Sequence, residues 1–297
     1  MLLDKKIPVK YIISKVRTEL IYILIIGIVV NYITREFLHV IPAIPIAIPT
    51  FLGTAISVVL SFKLSQSYDR WWEARKIWGS IVNDSRNLVL QLLAFVNGEN
   101  KNLITRIALR QVGWCYSLGQ SLRGLDALKG LEKYIDYKEL EVLKQHTNKP
   151  LGLIRQNAVD IRQIKEGGHV DSFAYVQINT TLVSLTNAMG MAERIKSTVF
   201  PVTYRLFLHM IIYVFIITLS IALRNLESYI EIPLLIVVAV FFFLLERTAT
   251  HLQDPFSNKP TDTAMTAIAT TIEINIRQLL DLGNVPEPHR PDGFYLC

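Results

Sequence analysis

The sequence predicts an all-α integral membrane protein with four transmembrane helices and a cytoplasmic helical domain. Three observations predict it: four separate apolar stretches, a Lys- and Arg-rich first segment, and helical rather than alternating periodicity through the remainder.

Leu20 to Thr34 is uncharged and mostly Ile, Leu, Val and Tyr. Val40 to Phe62 carries no charge, with Pro42, Pro45 and Pro49 in its first half. Leu206 to Leu223 is broken only by His209, Thr218 and Ser220, and Ile232 to Leu245 is uncharged up to Glu246. A hydrocarbon core of about 30 Å needs about 20 helical residues, so the first and last stretches are short by themselves. Glu19, Glu231 and Glu246 then have to lie near the interfaces or pack inside a bundle. A buried helix of a soluble protein explains any single stretch, but explains four in one chain poorly.

The stretches pair as two hairpins. Their turns, Arg35 to Pro49 and Arg224 to Glu231, hold one basic residue each, whereas the N-terminal segment carries Lys5, Lys6, Lys10, Lys15 and Arg17 against Asp4. The positive-inside rule sends both turns outward and leaves both termini and the insert in the cytoplasm. Proline lacks an N–H and restricts its predecessor, so the first helix should stop before Pro42 and the second begin near Pro49. The organisation expected is a cytoplasmic segment at 1–18, a hairpin at 19–66, a cytoplasmic helical domain at 67–204, a second hairpin at 205–248 and a cytoplasmic segment at 249–297.

The insert reads as helices. Leu88, Val89, Leu92 and Leu93 form an apolar stripe over Asn83 to Phe95, and Leu103–Leu118 and Tyr175–Leu185 behave alike. Breaks fall at Asn97–Gly98–Glu99–Asn100 and at Gly167–Gly168. No internal repeat or low-complexity tract is visible.

A hydrophobic share of 51% is high for a soluble chain, and the apolar residues are clustered. The formal charge of +6 and pI near 9.2 do not indicate nucleic acid, because no long basic run exists and the excess sits where topology needs it. Cys115 and Cys297 lack a CxxC partner, so neither a zinc site nor a disulfide framework is expected, and Cys115 reads as a small buried residue in a helix. The N-terminus shows no cleavage-site pattern, so the first apolar segment is expected to stay in the mature protein. The histidines at 39, 146, 169, 209, 251 and 289 form no HExxH, and no phosphate loop or GxSxG is present; no enzyme, metal or cofactor is expected.

The second apolar stretch carries two rows at four-residue spacing. Gly53, Ser57, Ser61 and Ser65 form a small-residue stripe of the kind that lets membrane helices approach closely. Thr54, Val58 and Phe62 form a second row of mixed size, which in a symmetric ring would line the axis. Periodicity alone leaves open which row packs and which faces a lumen. Tyr68-Asp69-Arg70-Trp71-Trp72 follows, and its indoles, phenol and arginine suit a membrane interface. Beyond it lies the polar cluster Asn83-Asp84-Ser85-Arg86-Asn87.

The run from Ser61 to Asn87 resembles the bestrophin signature, in which Arg-Trp-Trp closes the pore helix and Asn-Asp-Ser-Arg follows. Ala192-Glu193-Arg194-Ile195 before Pro201, and Asp254-Pro255-Phe256 after the fourth stretch, extend the resemblance over most of the chain. It implies a homopentameric ion channel in a lipid bilayer, multi-pass, in the bacterial inner membrane. The family's hydrophobic neck maps onto Thr54, Val58 and Phe62, with Thr54 smaller than the usual neck residue. A cytoplasmic exit constriction falls near Phe173, within one helical turn.

Animal members carry an acidic calcium clasp where this chain reads Ser257-Asn258-Lys259-Pro260-Thr261-Asp262. Calcium prefers six to eight oxygens with several carboxylates, so this chain resembles the bacterial branch and no calcium gating is expected. Animal and plant members pass anions, whereas bacterial relatives are associated with monovalent cations. Asp171, beside the exit, is the candidate selectivity charge, with Lys165 and His169 nearby. The expectation leans to Na+ or K+, with a chloride channel of the same fold as the alternative and a solute transporter behind it, since no matched discontinuous helices mark a midplane site.

Overall fold

A computed structural model describes residues 1, 8–37, 39–97, 100–198, 201–291 and 293–296. Asp4, Lys5, Lys6, Gly98, Glu99 and Cys297, all invoked above, lie outside the described residues. Among the described residues the chain is helical, with no strand: α1 (Val9–Glu36), α2 (Ala47–Phe95), α3 (Lys101–Leu122), α4 (Tyr137–Lys144), α5 (Lys149–Glu166), α6 (Ser172–Ser197), α7 (Val202–Ala222), α8 (Ser228–Gln253) and α9 (Met265–Leu279).

Local chemistry sets most boundaries. α1 ends ahead of Pro42, and Pro49 sits in the first turn of α2, where a missing N–H costs nothing. The Asn148 side chain accepts from Leu151 N at 3.0 Å and starts α5, with Pro150 in its first turn. Gly168 at φ 73° ends that segment in the left-handed region. Pro201 precedes α7, and Pro255 follows shortly after α8.

The pore helix, which the resemblance closes at Arg70-Trp71-Trp72, runs on. The second apolar stretch and the amphipathic run from Asn83 are a single 49-residue helix, continuous through Tyr68 and the tryptophans. Nothing between Pro49 and Phe95 breaks it, since Gly53 and Gly79 cost only about 1 kcal/mol each in a helix of this length. Composition changes from apolar to polar along α2 while the helix continues.

The chain divides into two units. One, Lys5–Arg70 with Val199–Gln253, holds α1, the first part of α2, α7 and α8. Its core is aliphatic and aromatic: Ile23, Ile56, Leu60, Leu208, Ile212, Phe215 and Phe243 are all buried. A Cβ on Gly53 would sit 3.1 Å from the Phe215 ring, so this glycine permits the close approach of α2 and α7. Within the described residues three helices, α2, α7 and α8, are long and apolar enough to cross a membrane. α1, expected as the first of four, is not among those three.

The second unit, Trp71–Thr198 with Asp254–Cys297 and the first residues, packs α3 against α5, α6 and α9. Trp78 and Trp114 are fully buried in its core together with Leu88, Leu92, Ile107 and Ile272. Cys115 lies there too, where burial pushes its thiol up to about 12, so it is an inert core residue. α4, α5 and α9 escaped the sequence reading. α4 is short, and α5 and α9 mix polar residues into their buried faces (Asn157 and Asp160, Thr270 and Glu273), which blurs the apolar stripe.

Candidate pore

On the part of α2 that belongs to the first unit, Pro49, Ile56, Leu60, Lys63 and Ser67 are buried. The opposite face is exposed in the protomer and contains both rows seen in the sequence: Thr54, Val58 and Phe62, and Ser57, Ser61 and Ser65. Phe62 is 66% and Val58 51% exposed, a poor arrangement for a lone helix in water. The Thr54 hydroxyl donates to Thr50 O at 2.9 Å and Ser57 Oγ to Gly53 O at 2.8 Å. These hydroxyl protons are spent on the helix itself, so the face presents methyl groups and rings with few donors. Of the small-residue row, Gly53 packs against Phe215, whereas Ser57, Ser61 and Ser65 are exposed among the described residues.

Phe173 is 90% exposed in the first turn of α6, and Val176 and Val183 continue its stripe. Asp171 is the N-cap: its Oδ1 accepts from Phe173 N at 2.7 Å and from Ala174 N at 3.0 Å. Those backbone bonds, with Lys165 nearby, hold its carboxyl below the usual range, so it stays ionised. Part of that charge is engaged by the helix N-terminus. Lys165 Nζ in turn donates to Ser172 Oγ at 2.8 Å, so a cation sits beside the anion.

Signature residues scattered along the chain meet in the second unit. Trp71 Nε1 donates to Thr261 O at 3.0 Å, and Glu73 pairs with Arg194 at 3.3 Å. Arg86 grips Asn275 Oδ1 through Nη2 at 2.6 Å and Nε at 3.0 Å. Asp254 lies 3.7 Å from Lys196, whose ammonium also donates to Phe256 O; Phe256 and Pro255 are buried. Arg70 and Asp84 are half-buried, and Trp72 and Asn83 are exposed. The long helix thus carries one half of the contacts to Thr261, Arg194 and Asn275, while Lys196 ties the end of α6 to Asp254 and Phe256.

Sequence reasoning named the acids Glu19, Glu231 and Glu246 but missed Lys63 and the partners of all three. Lys63 and Glu246 are buried together at 2.7 Å, and Thr250 and His209 stand beside the carboxylate. Glu231, fully buried, accepts from Asn31 Nδ2 and from Ser220 Oγ, each at 2.6 Å. Glu19 pairs with Arg247. The expectation that these acids sit at an interface or inside a bundle thus resolves to the interior. The available signal was Lys63 itself, one residue beyond the uncharged stretch.

The bacterial/fungal bestrophin family model matches residues 7–278. The chain belongs to the bestrophin family. Its channel-forming relatives include the voltage-dependent anion channel-forming protein of Mesorhizobium japonicum, 28% identical over 82% of this chain and 78% of that protein. Another is the voltage-dependent anion channel-forming protein YneE of Escherichia coli K12, 25% identical over 96% of this chain and 93% of that one. The crystal structure of a bacterial bestrophin homolog from Klebsiella pneumoniae superposes with a TM-score of 0.85, covering 91% of this chain and all of that one at 24% identity, which establishes the shared fold. The family consists of membrane ion channels and not of enzymes.

Proposed function

We propose that this bestrophin assembles as a homopentamer whose central pore passes small monovalent anions, with α1 as the fourth membrane span. The observation that carries the channel reading is the uncharged face of α2, where Thr54, Val58 and Phe62 repeat every four residues and are exposed among the described residues. Five copies of that face would form the neck, and five copies of Phe173 the cytoplasmic exit. An uncharged apolar neck admits ions by width and wetting rather than by coordination.

The sequence leaned toward cations because the resemblance was to the bacterial branch and because Asp171 stood beside the expected exit. Two facts favour the anion alternative. The relatives are named anion channel-forming proteins, and Asp171 is engaged at the start of α6 with Lys165 beside it. The basic N-terminal segment supports an orientation with both termini inside, in a bacterial inner membrane. Reversal potentials of the purified protein in asymmetric potassium chloride test the reading: a shift toward the chloride equilibrium potential supports it, and a shift toward the potassium potential restores the cation reading. Equal open probability in chelator and in micromolar calcium is expected, because the segment after Phe256 lacks the acidic cluster.

A further inference from the structure

Apart from the pore, the second unit contains a cavity of about 830 Å3 between α3, α9, the loop after α3 and the chain following α9. That volume lies in the range of small-molecule sites. Its floor is the stacked pair Tyr116 and Tyr134, with ring centroids 5.6 Å apart. Both phenols donate to Glu273 Oε2, at 3.0 and 2.8 Å, and Glu273 Oε1 accepts from Arg277. The floor is therefore a closed, satisfied network: burial pushes the Tyr116 phenol up to about 12, and it keeps its proton.

The rim is different. Lys129 and Lys133 line the cavity and form no ion pair among the described residues. Of the rim carboxylates, Glu287 is paired with Arg290 at 2.6 Å, which leaves Asp126 against the two lysines, and Asp126 Oδ1 is occupied by Leu128 N at 3.0 Å. The Arg123 guanidinium also lines the cavity and donates to the Thr266 hydroxyl at 2.7 Å. Deeper in, beside a recess of about 50 Å3 that shares Tyr116, Gln120, Arg123 and Thr266 with the cavity, Gln120 donates to Lys129 O at 3.1 Å while its own Oε1 is buried with no donor among the described residues. A buried amide oxygen without a donor is costly, and a water or a ligand has to supply one.

We propose that this cavity is a cytoplasmic binding site for a small organic oxyanion that also carries an O–H or N–H donor: the anionic head meets Lys129 and Lys133, and the donor meets Gln120 Oε1. Carboxylate and phosphate heads share this chemistry. The wall contributed by Pro286, Glu287 and His289 gives the site a consequence, because an occupant ties the segment after α9 to α3.

Titration calorimetry on the intact channel in nanodiscs tests the site with malate, with succinate (the same dianion without the hydroxyl) and with glycerol 3-phosphate. Saturable binding of malate or glycerol 3-phosphate is expected, and malate should bind more tightly than succinate. Whichever of the two binds identifies the head group. K129A/K133A should weaken binding at least about tenfold, as loss of charge-assisted bonds does. Q120L should erase the preference for malate over succinate, and K144A, a surface lysine elsewhere, should change nothing. Hydrogen exchange of residues 283–291 should slow when ligand is present, a readout independent of current. Should K129A/K133A fail to assemble, Q120L and the exchange data decide. No saturable heat with any of the three, or equal affinity in the variants, overturns the proposal.

Discussion

Lys63 Nζ donates to Glu246 Oε1 at 2.7 Å, with the two side chains 1% and 0% exposed, so α2 and α8 are joined by an ion pair sealed from solvent. Desolvating both charges is expensive, and their attraction offsets the cost only while both are present. Lys63→Met is expected to destabilise the protein by about 3–5 kcal/mol, because it strands a buried carboxylate. Lys63→Met with Glu246→Leu should recover most of that loss. Denaturant unfolding in detergent checks both; a double variant as unstable as the single one would refute the account.

Phe62→Ala should raise basal current and leave the oligomer intact, because Phe62 is the bulkiest member of an exposed row that holds no core contact. Ser61→Phe, on the adjoining small-residue row, should instead reduce assembly, since a ring replaces a hydroxymethyl where helices of neighbouring copies would approach. Bilayer recording beside size-exclusion chromatography separates the two. An unchanged conductance with a dissociated oligomer in Phe62→Ala would exchange the roles of the two rows.

Asp171 combines a cap with a charge, and the two roles can be pulled apart. Asp171→Ala should cost about 1 kcal/mol through loss of the N-cap. Asp171→Asn keeps an acceptor for Phe173 N and Ala174 N, so its stability should match that of the original protein. Removing the negative charge should move the reversal potential further toward chloride. No movement in asymmetric potassium chloride would exclude Asp171 from ion selection.

Burial, with Asp254 adding to it, pushes the Asp262 carboxyl up from 3.8 to about 6, against the opposing pull of the Lys259 and Asn258 backbone and of Arg123. The folded protein holds this proton over a range where the unfolded chain releases it. The stability it contributes is therefore fully present below pH 4 and lost as pH rises through 6. Asp262→Asn should flatten that slope and stabilise the protein by about 3 kcal/mol at pH 7.5. Denaturant midpoints at pH 4.5 and 7.5 measure it; identical slopes in the two proteins would show that Asp262 titrates normally.

Much of the architecture was legible in local chemistry. Apolar stretches at 206–223 and 232–245 became α7 and α8, prolines marked helix starts, and the four-residue rows on α2 proved to share one exposed face. The signature at Arg70–Trp72, Asn83–Arg86 and Asp254–Phe256 identified the family because it is a linear pattern. The continuity of α2 was hidden, because a change from apolar to polar composition imitates a boundary that backbone geometry does not require.

What the sequence by itself determined is what depends on neighbours along the chain: helix ends, burial periodicity, charge asymmetry and family. Only the tertiary structure decided which distant residues are partners. Lys63 and Glu246 are 183 positions apart, and Arg86 and Asn275 are 189. No local pattern marks either pair, because a buried charge is tolerated only through a partner brought to it by packing, and packing is a property of the folded chain. The same holds for the cavity beside Tyr116 and Tyr134, whose walls come from segments that are neighbours in space alone.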